Sequence, residues 1–312
     1  MELYKNHITP RMIMTKAALE NATTVLSAIG GSLNALIHLP ALASELGVSL
    51  SWEEIAKITS RTPLLTDIVP NGNNTVIDLY QAGGIPALMK ALTPLLNTET
   101  LTVSGKLLKE ELDSAPAPKG SIIRRINDPI KTSDGIQVLY GNLAPEGALV
   151  KTSAVPDDLK KFSGRARVFN NEDECYEAFS RQEIVSGDAI IIRYEGPKGG
   201  PGMKEMHRVT EIIKKIPKTA VITDGRFSGA SGGLSIGYLC PEAADGGAIA
   251  LVEDGDRISV DLENGVITLD VDEALLEERR KKLKIHVQKT PKGVLTRYSN
   301  TVASTKDGAV IL

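Results

Sequence analysis

The sequence has 312 residues, 42% of them hydrophobic and 24% charged, with a formal net charge of −3. That is room for two domains with sizeable cores, and too little positive charge for general nucleic-acid binding through a basic surface. No apolar run approaches the about 20 residues that a membrane helix needs. The polar start Met1-Glu2-Leu3-Tyr4-Lys5-Asn6 lacks a secretory pattern, so a cytoplasmic protein with neither nucleic acid nor membrane as partner is expected. Aromatic residues make up 4%, which predicts an aliphatic core, and Cys175 and Cys240, without a C-x-x-C motif, read as reduced core thiols.

The first part of the chain reads as helical. Thr15 can cap a helix whose apolar residues Ala18, Leu19, Ala22, Val25, Leu26 and Ile29 fall at helical spacing, and Gly30-Gly31 stops it. Ser32 is expected to cap a second helix over 33–46, closed by Gly47 and apolar nearly all round, hence buried. Asn34 and His38 share a face of it, either as satisfied core groups or as the lining of a site near the Gly-Gly turn. Ser51-Trp52-Glu53-Glu54 is a capping box that opens another helix. Turns at Thr62-Pro63 and Val69-Pro70-Asn71-Gly72 precede a helical stretch over 78–92, broken at Gly83-Gly84-Ile85-Pro86, and a short helix over 106–112.

Ser114-Ala115-Pro116-Ala117-Pro118-Lys119-Gly120 is the best linker candidate. After it, strands are expected over 121–123, 136–140, 148–151, 165–169, 189–194, 219–222, 248–252, 257–261 and 266–269. Turn signals such as Asp134-Gly135 separate them, and helices over 171–181 and 204–215 interrupt. Many short strands with few helices suggest a barrel or sandwich. Residues 272–284 read as an exposed charged helix with acids first and bases last, and 293–312 as a tail that packs back on the body.

The chemistry concentrates in 192–237, where two glycine-rich loops flank a short amphipathic segment and the strand-like Lys218-Thr219-Ala220-Val221-Ile222. The first loop, Gly196 to Gly202, leads to Glu205; the second, Thr223-Asp224-Gly225-Arg226-Phe227-Ser228-Gly229, carries one hydroxyl. Glycines beside a strand end let backbone amides approach a ligand closely, so a polyanion or metal site is a first expectation. By spacing alone Glu205 is either a helix N-terminal acid or one oxygen ligand of a hard cation. Ser228 is either a helix cap or a reactive hydroxyl. The pattern around it is not G-x-S-x-G, and His207, two residues from Glu205, faces another way on a helix. Asp224 and Arg226 could pair with each other, or Arg226 could hold a substrate carboxylate. Neither nucleotide-binding glycine fingerprint is present.

RYEGPKGGPGMKEM, ITDGRFSGASGGLSIG and PEAADGGAIALVEDGD resemble the dihydroxy-acid dehydratase / phosphogluconate dehydratase family. IGGSLNALIHLPALA, DLYQAGGIPALMK, LTVSGK, YGNLAPEGALVK, ARVFNNEDECYEAF and TRYSNTVASTKDGAV do so too, in the family's order, so the resemblance covers nearly the whole chain. The TDGRFSG and YEGPKGGPGM forms look closer to the dihydroxy-acid branch. The resemblance implies an α+β fold: 1–113 as the C-terminal, mostly helical part of an α/β cluster-binding domain, 114–285 as a β-barrel-like domain with the catalytic loops, and 286–312 as the tail.

It also implies a hydro-lyase that turns a 2,3-dihydroxy acid into a 2-keto acid with Mg2+ and an iron–sulfur cluster, in branched-chain amino-acid biosynthesis. Glu205 would be a Mg2+ ligand and Ser228 the base at C2. Asp224, Arg226, Gly229, Ser32 and Asn34 would bind substrate or line the site. The family's three cluster cysteines, and the Asp and Lys that complete its Mg2+ site, belong to a first half that this chain is expected to lack. It would therefore hold no cluster ligand and only part of a Mg2+ site. Leu33 stands where the family has a threonine, Gly232 an arginine, Tyr238 a histidine and Cys240 a serine. The expectation is one half of a split or truncated dehydratase that needs a companion subunit, in a homo- or hetero-oligomer. The alternatives are a sugar-acid dehydratase half and a non-catalytic binding or regulatory relative.

Overall fold

The computed structural model describes residues 2–69, 72–132, 135–227, 233–284 and 293–312, the side chains at 210, 211 and 213 excepted. Pro70 and Asn71 of one expected turn, Asp134 of another, and Ser228, Gly229, Gly232 and His286 lie outside the described residues. The chain divides into two compact units, Met1–Ile136 and Gln137–Leu312. The division falls later than the linker at 114–120, because the chain after that linker returns to the helices: Ile123 bridges Thr66, Lys131 bridges Leu64, and the Arg124 amide donates to the Leu65 carbonyl at 2.7 Å.

The first unit is built from α1 (Glu2–Lys5), α2 (Pro10–Ile13), α3 (Lys16–Ile29), α4 (Ala35–Leu46), α5 (Trp52–Arg61), α6 (Val76–Gln81), α7 (Gly84–Ala91) and α8 (Leu108–Ser114). The local signals set most of these ends. Thr15 Oγ1 accepts the Ala18 amide at 3.3 Å, and Gly30 ends α3 at φ 64°, a left-handed conformation that costs glycine little. The Ser51 capping box forms in both directions. Ser32, in contrast, does not cap α4: its Oγ accepts the Asn34 amide in a turn, and Asn34 takes the N-cap position, its side chain making no capping bond to the first turn of the helix. Nor is α4 buried all round. Leu36, Ile37, Pro40 and Ala43 are covered while Leu42 is 39% exposed, since packing meets one face only. Leu65, Leu79, Leu88, Leu92, Leu108 and Leu112 form the core between α6, α7 and α8.

In the second unit, β1 (Gln137–Leu139), β2 (Gly147–Val150), β3 (Lys161–Phe169), β4 (Asp188–Ile192), β6 (Ala220–Thr223), β8 (Leu234–Cys240), β9 (Arg257–Asp261) and β10 (Val266–Leu269) form one sheet in the order β1-β2-β8-β6-β4-β3-β9-β10. Tyr140, just after β1, bridges Val266 of β10, so the two edge strands meet and the sheet is nearly closed. Closure removes the unpaired edges an open sheet would present. The strands β3, β4, β6 and β8 are mutually parallel and the other strand pairs of the sheet are antiparallel, while the closing bridge between Tyr140 and Val266 is parallel. Ala189, Ile191, Ala220, Ile222, Leu234 and Ile236 face one core. Ile190, Ile192 and Val221 face the other, against α9 (Glu172–Ser180) and α10 (Arg208–Lys215). Strands covered on both faces read as unbroken apolar runs, as Ala189-Ile190-Ile191-Ile192 does.

Several expectations are corrected here. Residues 248–251 form a 3-10 turn, Ala248–Leu251, instead of a strand. Residues 121–123 contribute one isolated bridge. The interior strand β8 has no strand signal in the sequence, because its Leu-Ser-Ile-Gly start continues a glycine-rich segment. The helix expected from 204 begins at Arg208, and Glu205–Met206 is a short strand, β5, paired in parallel with β7 (Arg226–Phe227). The charged helix α11 (Glu273–Lys282) is not wholly solvated: Leu276 is buried, and the Arg279 guanidinium pairs with Asp256 and Glu253 at 2.5 and 3.2 Å. Within the tail, the Ser299 Oγ of α12 (Val294–Thr301) donates to the Lys198 carbonyl at 2.8 Å.

Candidate functional site

Parallel neighbours β4 and β6 end side by side, so the connections that follow them leave the sheet at one end. In open parallel sheets that end is where ligands gather. The connection after β4 is the first glycine loop and the one after β6 is the second. They are joined by β5 and β7, where Glu205 lies opposite Arg226. The Arg226 Nε donates to the Met203 carbonyl at 2.6 Å, which fastens the second loop to the end of the first. Glu205 is half-buried in this ribbon.

Asp224 is fully buried, and both of its oxygens are taken by backbone amides. Oδ2 accepts Tyr194 at 3.0 Å and Ala243 at 2.9 Å, and Oδ1 accepts Glu195 at 3.0 Å. Burial raises its pKa and these amides oppose the rise. Its carboxylate therefore ties three segments together, and the pairing with Arg226 considered from sequence does not form.

Three further carboxylates, which the sequence did not single out, surround it. Glu242 accepts the Lys198 amide on Oε1 at 2.9 Å and the Gly199 amide on Oε2 at 2.8 Å. Burial pushes its carboxyl up to about 7, the Gly199 amide works against this, and the charge of Asp224 adds to it. Glu195 accepts the Glu172 amide at 2.9 Å, and Glu172 in turn accepts the Arg208 amide at 2.9 Å at the start of α10. Burial raises the Glu195 pKa, while the Glu172 amide and Lys204 lower it. The Lys204 ammonium lies 3.7 Å from Glu195 and 3.8 Å from Glu172. The amides of the first glycine loop at 198 and 199 are thus spent on Glu242, so they do not form the polyanion cradle that its composition suggested. Local spacing could not reveal this, since the partners lie 44 and 43 residues apart.

Tight backbone approach explains two of the glycines. A Cβ at Gly199 would meet the Tyr194 Cα at 2.8 Å, and one at Gly225 would meet the Glu195 Cβ at 2.7 Å. Tyr238 shows the same crowding. It sits in β8 at φ 60° beside a register shift, and its amide donates to the Gly225 carbonyl at 2.8 Å. Strain of this kind collects where surrounding structure overdetermines a loop. Burial pushes the Tyr238 phenol up, with Arg226 lowering and Glu205 raising it, which places the three within electrostatic reach of one another.

Among the described residues no three His, Cys, Asp or Glu side chains converge as a metal site. Both thiols are buried, and burial pushes each up to about 12, so neither supplies a ready thiolate. The donors present do not fit an iron–sulfur cluster, and Glu205 alone does not fit a complete Mg2+ site. Ser32 and Asn34 belong to the unit Met1–Ile136, at the turn before α4.

Sequence comparison adds an independent finding. A family model described as "Dihydroxy-acid/6-phosphogluconate dehydratase C-terminal" matches residues 121–309, and its N-terminal counterpart matches 1–111. A dihydroxy-acid dehydratase of Acetivibrio thermocellus is 45% identical over 100% of this chain and 57% of that protein. One of Parvibaculum lavamentivorans is 44% identical over 99% of the chain and 55% of the relative. One of Methanosphaera stadtmanae is 43% identical over 99% of the chain and 57% of the relative. The chain spans about half the length of the curated relatives it matches.

Proposed function

Because the chain belongs to the dihydroxy-acid/6-phosphogluconate dehydratase family, we propose that it is the C-terminal part of a hydro-lyase acting on a 2,3-dihydroxy carboxylic acid. The single observation that carries this is the end-to-end match to relatives named dihydroxy-acid dehydratases, at 43% to 45% identity across both halves of the chain. The names of these relatives support the dihydroxy-acid branch over the sugar-acid branch, and branched-chain amino-acid biosynthesis is the setting we propose.

Dehydration of such an acid has two demands: a proton must leave C2, and hydroxide must leave C3. This chain addresses the first. Ser228 follows β7, directly after Phe227, and we assign it as the base that takes the C2 proton. An ordinary serine hydroxyl is too weakly acidic to act unaided, so its activation must be supplied from outside the described residues. Glu205, on the strand beside β7, contributes one oxygen ligand toward a divalent cation. Arg226 stands opposite Glu205, and its charge suits the carboxylate end of the substrate. The second demand needs groups not found among the described residues, and a companion polypeptide carrying the remainder of the family's sequence would bring them.

The test is reconstitution. The chain is co-expressed with the N-terminal portion of a relative, and 2-keto acid formation from a 2,3-dihydroxy acid is followed with Mg2+ present. Turnover is expected only when both polypeptides are present. In that assembly Ser228→Ala should lower kcat by about 10²–10⁴-fold, the usual range for loss of a positioned acid or base, with the unfolding midpoint unchanged. Glu205→Gln should raise the Mg2+ concentration needed for half-maximal rate. Absence of turnover in every co-expression would refute the dehydratase reading, and activity of Ser228→Ala within a few-fold of wild type would refute the assigned base.

A further inference from the structure

Glu242 lies two residues beyond β8, and it is 4% exposed. Its two oxygens are divided between consecutive amides, Lys198 and Gly199, at 2.9 and 2.8 Å. The same short stretch is gripped from other sides. Ser299 Oγ of α12 donates to the Lys198 carbonyl at 2.8 Å, and the Lys198 ammonium meets Asp245 at 2.7 Å. The Gly200 amide closes a turn onto the Gly196 carbonyl at 2.7 Å. There is no slack: a Cβ at Gly196 would fall 2.5 Å from the Glu242 carboxylate. A few residues on, Met203 receives the Arg226 guanidinium and Glu205 takes its place opposite Arg226.

A buried carboxylate is a poor way to add stability, because removing its charge from water costs more than most pairings return. It is a good way to fix geometry, since an ionised acceptor between two converging N–H donors makes bonds about twice as strong as neutral ones. We propose that Glu242 is a positioning residue: its carboxylate latches the first glycine loop against β8 and thereby sets the place of Glu205 beside Arg226. The link to catalysis rests on the reading of Glu205 under the proposed function; the latch does not.

The groups facing Glu242 are Asp224 from the loop after β6, Asp245 from the turn that follows, Lys198 from the glycine loop, Cys240 at the end of β8 and Tyr298 from α12. The two aspartates raise its pKa after burial has done most of the work, to about 7. Protonation converts one of its two acceptor oxygens into a donor, so the latch should loosen as pH falls through that value.

Hydrogen exchange on the full chain tests this without requiring activity. In Glu242→Gln the side chain keeps its shape but turns an NH2 toward one of the two amides. Protection of the Lys198 and Gly199 amides should drop by about ten-fold or more, while that of Ile191 and Ile222 in the barrel stays within about two-fold. In the wild type, protection at 198 and 199, corrected for intrinsic exchange, should fall between about pH 8.5 and about pH 5.5, and the Gln variant should show no such step. Unchanged protection at 198 and 199, or a loss spread evenly over the barrel, would overturn the proposal. Should the variant fail to fold, the wild-type pH profile decides alone: a flat profile sinks the latch. A latch that behaves as expected while Glu205→Gln leaves the Mg2+ requirement unchanged in the reconstituted enzyme would fail the metal reading and leave Glu242 in place.

Discussion

Lys151, at the end of β2, is 8% exposed, and burial lowers its ammonium to about 8. An unfolded lysine keeps its proton up to about pH 10.4. Between those values the unfolded chain binds the extra proton, so the stability of the fold rises with pH across that window and the full penalty applies below it. Lys151→Met is therefore expected to stabilise the chain at pH 7 by on the order of 1–3 kcal/mol, with the gain shrinking as pH approaches 10. Urea unfolding at pH 7 and pH 10 measures it, and an equal effect at both would exclude the burial explanation. At this scale the sequence was informative about residue types and silent about their surroundings. Glu205 and Ser228 stood out because a glycine-rich setting marked them. Glu242 and Glu195 did not, because what makes them notable is burial among partners far away in the chain. Asp224 was singled out as a group lining the site, yet its oxygens are filled by amides from segments the sequence could not bring together.

Among elements, the helix ends were the most legible feature. Thr15, Gly30, Gly47 and the Ser51 box act within a turn of their own position, so sequence neighbours suffice to predict them. The box at Ser51 also has a tertiary attachment: the Glu54 carboxylate that accepts the Ser51 amide at 2.8 Å is bonded by Lys16 of α3, which lowers its pKa. Ser51→Ala should cost about 1 kcal/mol in unfolding free energy, the usual loss for a cap. A cost near zero would mean that the Lys16 contact holds Glu54 without the cap. Strands were harder. The stretch 248–252 is apolar and β-like, yet 248–251 form a 3-10 turn, while β8 begins inside a glycine-rich segment and is an interior strand of the sheet. Strand identity depends on the neighbour that accepts the hydrogen bonds, and the neighbours of β8 are β2 and β6.

For the whole molecule, the unevenness of the exposed apolar surface matters. On α6, Val76, Ile77 and Tyr80 are 68%, 68% and 80% exposed, and Ile85 on α7 is 41% exposed. Side chains at i, i+1 and i+4 form one apolar strip, and the chain spans only about half the length of its relatives. We propose that the companion polypeptide of the proposed enzyme covers this strip. Changing Ile77 and Tyr80 together to Asp should leave the unfolding midpoint of the chain alone within about 2 °C, since neither side chain is packed. It should weaken copurification with the companion by about ten-fold or more. Undiminished copurification would place the contact elsewhere.

The amino-acid sequence by itself determined the helical first part, the positions of most caps and turns, the strand-rich second part and the family. These follow from local propensity, from spacing within a few residues, and from motifs long enough to be specific. Only the tertiary structure decided that the sheet closes through Tyr140 and Val266, that β8 runs inside it between β2 and β6, and that Glu242 and Asp224 hold the loops beside Glu205. Closure and buried charge are properties of segments brought together across the chain, and their energies depend on burial and on the partners at hand, which no local pattern records.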